Sequence, residues 1–391
     1  MLGHSAFITE YGLRLFCGNF LGVPGGGIRF AFPLGWTAPR HLVPRFGCRD
    51  SNWRPSMNEI TRIAIDTSKS VFTLHGVDAL GRAVLRRNVR RQDMVKFFTR
   101  PPLEIAMEAC GGSHHWGRVL HALGHSVRLI PPQYVKPFVK RGKNDRNDAE
   151  AISEAAARPD MRTVAIKSAE RQASAMLLSV RELLVRQRTQ MVNALRGHAA
   201  EFGVVAKPGD AGMTQLLHEM AEDAWLPTPA KSALALLGHE IDRLETRLTE
   251  IDATLVAQHK ATPESKMLAE MPGIGPVSAL SLVLRVDFTQ FRSGRHFASW
   301  LGLTPREHST GGKTRLGGIS RAGDERLRQL LVLGATAVIG HAKPGKSSAW
   351  LLALLARRPR KLAAVALANK MARIVWAMMT SGEAYRMTAK A

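Results

Sequence analysis

The segment Lys143-Asn144-Asp145-Arg146-Asn147-Asp148-Ala149-Glu150 sets two aspartates three residues apart at the start of a helical pattern. That spacing turns Asp145 and Asp148 to one helix face, where their carboxylates repel each other unless something positive sits between them. Two more acids stand where strand-like runs end: Asp66 after Ile63-Ala64-Ile65, and Glu108 after Leu103-Glu104-Ile105-Ala106-Met107. Each has an ordinary reading when taken singly. Asp66 is then a turn residue, Glu108 a solvated strand end and Asp145 a helix cap. Taken together in a basic chain, Asp66, Glu108, Asp145 and Asp148 form a set of hard oxygen donors suited to Mg2+. Two such ions about 3.5–4 Å apart activate a nucleophile and stabilise a leaving oxygen in phosphoryl transfer.

A second block, from Trp300 to Asp324, contains Ser309-Thr310-Gly311-Gly312-Lys313-Thr314-Arg315 and Ser320-Arg321. A hydroxyl on an exposed, glycine-flanked backbone can reach phosphorus while Lys313, Arg315 and Arg321 hold the phosphate. By composition alone this is a phosphate-binding loop. Glu325-Arg326-Leu327-Arg328 then opens an amphipathic helix whose arginines either meet a phosphate backbone or form a solvated face. Upstream, Met271-Pro272-Gly273-Ile274-Gly275-Pro276 ends one helix and starts another. Gly273 and Gly275 permit close backbone approach and direct N–H groups at a phosphate, as in the helix-hairpin-helix of DNA-binding proteins. An ordinary connection between helices is the alternative.

The chain has 391 residues, 45% of them hydrophobic, enough for two or three domains with real cores. Its formal net charge of +23 costs self-repulsion that a polyanion offsets, so nucleic acid is the expected partner. Cys17, Cys48 and Cys110 show no paired spacing, which argues against a disulfide framework or a structural zinc site and fits a reducing compartment. The apolar run from Leu362 to Met379 is interrupted by Lys370 and Arg373, so no membrane partner is expected.

These residues need elements to position them. Strand-type runs are expected at Ile63–Asp66, Val71–Gly76, Ala83–Asn88, Leu103–Met107 and Ser126–Ile130, with helices near Asp93–Thr99, Ser113–Leu123 and Asp145–Ala157. Hairpin-like strands followed by strand–helix alternation indicate a mixed sheet with helices on its faces. Beyond Ala165 the pattern is almost wholly helical. Long helices are expected over Lys167–Phe202 and from Ala230 to His259, across a break at Lys207-Pro208-Gly209-Asp210. They suggest a coiled-coil hairpin, either a dimerisation arm or simple intramolecular packing.

The blocks Ile65-Asp66-Thr67-Ser68-Lys69, Met107-Glu108-Ala109-Cys110-Gly111 and Lys143 to Ala149 resemble the three acidic blocks of the DEDD transposases of the insertion-sequence 110 family. The serine block is similar to that family's second hallmark, especially in its 1111-type subgroup. The resemblance runs from Met57 to the C-terminus. It implies an α/β RuvC-like (RNase H-type) DEDD catalytic domain over 57–164, a long-helix coiled-coil region over 165–262, and a C-terminal transposase domain over 263–391 with the helix-hairpin-helix and the serine loop. Residues 1–56 read as an over-extended or disordered N-terminal segment.

The resemblance further implies Mg2+ at Asp66, Glu108, Asp145 and Asp148, and Ser309 as the nucleophile that forms a phosphoserine-linked DNA intermediate. Many relatives carry two serines here, and Thr310 stands at the second position. Lys143, Arg146, Gly273, Gly275, Lys313, Arg315 and Arg321 are the expected nucleic-acid contacts. Donor and target DNA, a structured guide (bridge) RNA, a homodimer or homotetramer, and a bacterial cytoplasmic site of action at the nucleoid complete the expectation. The alternatives are a RuvC-like Holliday-junction endonuclease, which would form no covalent adduct, and a non-catalytic nucleic-acid-binding regulator.

Overall fold

The computed structural model describes residues 60–386, apart from 141, 143, 223, 224 and 346. The expectations for residues 1–56 and for Lys143 therefore lie outside the described residues. The N-terminal part is built from β1 (Arg62–Asp66), β2 (Val71–Val77), β3 (Ala83–Arg90), α1 (Met94–Phe98), β4 (Glu104–Glu108), α2 (Ser113–Ala122), β5 (Ser126–Ile130), α3 (Pro132–Val135) and α4 (Asp145–Ala156). The five strands form one sheet in the order β3-β2-β1-β4-β5. β1 pairs antiparallel with β2 and parallel with β4, and β4 pairs parallel with β5.

Strand alternation gives this sheet two different faces. Ile63, Ile65, Phe72, Leu74, Ile105 and Met107 point to one side and bury against α1 and α2 through Met94, Phe98, Trp116 and Leu120. Each fully buried isoleucine or leucine there contributes about 1.5–3 kcal/mol. The other face carries Ala64, Ala106 and Ile130 and packs against Ala151, Ile152, Ala155 and Ala156 of α4. Alanine on both sides lets the helix lie close to the sheet. Asp66 and Glu108 share that face, because they follow Ala64 and Ala106 by two residues.

The helical part follows: α5 (Ala169–Glu201), α6 (Asp210–Glu222) and α7 (Thr228–Ala261). Arg181 of α5 pairs with Asp252 of α7 and Arg188 with Glu245, so numbers rise along one helix as they fall along the other. The two long helices are thus antiparallel. The sequence pattern missed α6, which follows the Pro208-Gly209 break and packs Met213, Leu216 and Met220 against Leu195, Ala199, Leu234 and Ile241.

The chain ends with α8 (Pro263–Ala269), α9 (Pro276–Arg285), α10 (Gly294–Trp300), β6 (Pro305–Glu307), β7 (Leu316–Ile319), α11 (Glu325–Gly340), α12 (Ala349–Arg357) and α13 (Arg360–Ser381). α13 has the length and apolarity of a membrane-crossing helix. Ala363, Ala368, Met371, Ala372, Val375 and Met378 along it are nevertheless buried in the C-terminal core with α8, α10 and α11. Arg171, in the first turn of α5, donates to the carbonyls of Val283, Leu284 and Val286 and so caps the end of α9.

Candidate active site

Asp66 is the last residue of β1 and Glu108 the last of β4, and the parallel register Ile65↔Met107 sets the two acids side by side. α4 delivers the other pair. Asn144 caps it, its side chain accepting from the Asn147 N–H at 2.8 Å, and the Asn147 amide donates to the Gly142 carbonyl at 2.8 Å. The cap starts the helix so that Asp145 and Asp148 fall in its first turn, where the positive end of the helix dipole favours carboxylates. Asp66, Asp145 and Asp148 converge: each offers an oxygen within 4.8 Å of the others. Glu108 lies outside that group of three but close enough to feel Asp148.

The electrostatics of this cluster are uncompensated. Among the described residues, none of the four acids is paired with a lysine or arginine. Neighbouring carboxylates differ sharply: Glu104, on the same strand and face as Glu108, takes Arg62 at 3.2 Å and Arg128 at 3.0 Å. Glu150, two residues beyond Asp148, takes Lys140 at 2.7 Å. Among the described residues, cations thus reach this face and leave the four acids without them. Burial first, then the charges of Asp148, Asp145 and Glu108, pushes Asp66 up to about 6, against a hydrogen bond from the Thr67 backbone that lowers it. Burial and Asp148 raise Glu108 above the usual carboxylate range. A trio of hard oxygen donors repelling one another is the donor set a divalent cation fits, and Asp66, Asp145 and Asp148 could hold one.

Two sequence profiles match the chain: a DEDD transposase domain over residues 63–203, and one described as "Transposase IS116/IS110/IS902 family" over residues 265–350. A Sinorhizobium fredii protein named as transposase y4pF/y4sB is 53% identical over 338 residues, covering 85% of this chain and 87% of that one. The transposase for insertion sequence element IS1111A of Coxiella burnetii is 40% identical over 339 residues, 85% and 93% of the two chains. The transposase for insertion sequence element IS1328 of Yersinia enterocolitica is 37% identical over 334 residues, 84% and 99%. The chain belongs to the IS116/IS110/IS902 family of transposases. Its sheet is therefore the RuvC-like domain of a DEDD transposase, an enzyme that cleaves and recombines DNA.

In this transposase the serine block is an exposed hairpin of β6 and β7 rather than an open loop. Gly311 and Gly312, with φ of +54° and +76°, form its two-residue turn, bridged by Thr310 and Lys313. The Ser309 hydroxyl accepts from the Arg315 N–H at 3.1 Å. Ser309, Thr310, Lys313, Arg315 and Arg321 are all exposed. At the base, a side chain on Gly323 would meet the Trp300 carbonyl at 1.9 Å, so the segment between β7 and α11 touches the end of α10 through backbone alone. Among the described residues no hydrogen bond or ion pair joins the hairpin to the four acids.

Neither sequence reading of the arginines at the start of α11 survives. Arg328 is buried and donates to the Leu301 and Ala322 carbonyls, clamping the hairpin base, and Arg326 pairs with Glu182 of α5. At the Gly-x-Gly turn, Gly273 has φ +87° and a Cβ there would lie 2.7 Å from the Gly334 carbonyl, so this glycine packs the turn onto α11. Gly275 caps α9, with open space where a side chain would be. Arg146 is exposed beside the acids. One feature of the site had no sequence signal: the Thr67 hydroxyl and the Cys110 thiol lie 3.0 Å apart, joining the turns that follow Asp66 and Glu108.

Proposed function

We propose that this transposase excises and inserts its own element through a composite centre, in which Asp66, Glu108, Asp145 and Asp148 form the metal-binding half and Ser309 supplies the nucleophile. The observation that carries the reading is the cluster of acids that, among the described residues, has no cationic partner. Mg2+ bound there supplies positive charge against the negative charge that develops on the phosphate. The Ser309 Oγ forms an ester bond to the scissile phosphorus as the bond from phosphorus to a deoxyribose oxygen breaks. The serine proton leaves to a base, and the released sugar oxygen takes up a proton as a free hydroxyl. A second deoxyribose hydroxyl then attacks the phosphoserine, joins the new strand and returns the serine. The exposed hairpin supports this reading, since its hydroxyl is accessible to a phosphodiester.

Lys313 and Arg315 on the hairpin, Arg321 just beyond it, Arg146 beside the acids, Gly275 at the start of α9, with Gly273 shaping a helix-hairpin-helix turn, and Lys143 from the sequence alone, are the proposed phosphate contacts. The net charge of +23 supports a structured guide RNA as well as donor and target DNA. The long antiparallel helices, as a coiled-coil arm, support a dimer or tetramer acting on two DNA partners in the cytoplasm, with the domains divided near 164 and 262. The test is to combine the full chain with its element-encoded RNA, donor and target DNA and Mg2+, and to look for a covalent protein–DNA adduct on a denaturing gel. Wild type is expected to form it and Ser309→Ala to lose it; an adduct at wild-type level in Ser309→Ala removes Ser309 from the reaction. Cleavage with no adduct in either protein would instead match junction hydrolysis by the acid cluster.

A further inference from the structure

β3 is an outer strand of the sheet, and residues 82–100 around it carry seven arginines and lysines against the single acid Asp93. Asp93 is taken by Arg90 at 3.0 Å, and Arg82 is taken by Asp78 at 2.7 Å. Arg86 leans on Glu150 at 3.9 Å. Arg87, Arg91 and Lys96 have no carboxylate within ion-pair reach among the described residues. Outer strands often carry charge simply to prevent edge-to-edge pairing, and such side chains are solvated and loose. These arginines are held. Arg91 lies over the rings of Trp116 at 5.3 Å and Phe72 at 5.9 Å, and Arg87 over Phe97 at 5.6 Å. Arg100 crowds the same Phe97 ring at 3.8 Å, and burial together with the Arg87 charge holds its guanidinium below the ordinary range. A guanidinium stacked on a ring keeps its N–H edge available for phosphate and loses little freedom on binding.

The position matters as much as the charge. β3 runs in the same direction as β1, so its end lies at the carboxylate end of the sheet, and the Arg91 N–H donates at 2.8 Å to Ser70 in the turn that follows Asp66. From Arg91 back to Arg87 is about 13 Å of extended chain. A duplex carries one phosphate per about 3.4 Å of axis on each strand, so that length meets several of them. We propose that the β3–α1 edge is the track for duplex DNA flanking the cut site, gripped through its phosphates by Arg87, Arg91 and Lys96. The proposal rests on the carboxylate cluster being the cutting centre and adds where the uncut flank runs.

Fluorescence anisotropy of the full chain with an element-end duplex, from 50 to 200 mM salt without divalent metal, tests it. At about 0.9 per phosphate contact, the variant Arg87→Gln/Arg91→Gln/Lys96→Gln is expected to lower the log–log salt slope by about 2–3 and to weaken binding about tenfold or more. Lys96→Glu alone sits on an exposed helix position, leaves the ring stacks untouched, and is expected to lower the slope by about 1. An unchanged slope in Lys96→Glu and in the triple variant overturns the track. Weakened binding of a structured RNA with the DNA slope intact overturns DNA as its occupant. Failure to form a covalent adduct bears on the proposed nucleophile and leaves these slopes as they are.

Discussion

The carboxylate cluster and the serine hairpin are held in opposite ways. Asp66 and Glu108 end strands whose preceding residues are fully buried, and Asp148 rides a helix seated on the same sheet. Ser309 sits on a hairpin exposed along most of its length, fixed chiefly at its base through glycine contacts and Arg328. A metal site needs several oxygens converging within a few tenths of an ångström, which only a packed core guarantees. A nucleophile that must travel to phosphorus and back gains from a support that bends. The two regions also differ in strain: the acids store mutual repulsion, while the serine carries no charge.

That contrast is open to direct attack. The largest effect is expected from Ser309→Ala, which should lower strand exchange on the order of 10⁴-fold or more while leaving the thermal midpoint unchanged, as gel assays and scanning calorimetry would report. Asp148→Asn should lower strand exchange on the order of 10²–10³-fold, yet raise the metal-free thermal midpoint by about 2 °C through relief of repulsion. A fall in that midpoint would mean that the acids are not in conflict. Gly323→Ala should destabilise the hairpin base by about 2–4 kcal/mol, from the clash with the Trp300 carbonyl, and reduce strand exchange without changing metal affinity.

A smaller effect follows from pH. Asp66 titrates near 6 in the fold against an ordinary 3.8, so the folded protein binds more protons than the unfolded chain between those values. Asp66's own contribution to stability should therefore fall as pH rises from about 4 through about 6, so metal-free wild type should lose stability relative to Asp66→Asn across that range, and Mg2+ should abolish that relative loss; calorimetry of the two proteins with and without the ion reads both. The smallest effect is expected from Thr310→Ala, less than about twofold in strand exchange if Ser309 alone is the nucleophile.

β1 and β4 and the acids at their ends were legible because the apolar runs Ile63-Ala64-Ile65 and Ile105-Ala106-Met107 each stop at a carboxylate. α4 was legible because the paired aspartates open a helical pattern, although its cap is Asn144 and not Asp145. The hairpin was read as a loop because nothing in Pro305–Ile319 is buried, so no apolar period marks its strands. α6 was missed because it begins beside Pro208 and Gly209, which read as a break rather than a bend. The arginines of α11 were misread because a buried arginine satisfied by carbonyls is indistinguishable in sequence from one waiting for a phosphate. The four acids could be named but not assembled, since only tertiary packing shows that Glu104 and Glu150 have cations and that, among the described residues, the four have none.

Arg171 pins the start of α5 to the end of α9, and the 33 residues of that helix then run to the small bundle formed with α6. At 1.5 Å per residue the helix is a rigid beam of about 50 Å. A tilt of about 5° at the pinned end swings the far end by about 4 Å, more than the roughly 3.4 Å of axis per phosphate on each strand of a duplex. The protein thus carries a mechanical amplifier: a small rearrangement where the sheet meets the C-terminal core becomes a displacement large enough at the tip for a partner gripping it to sense.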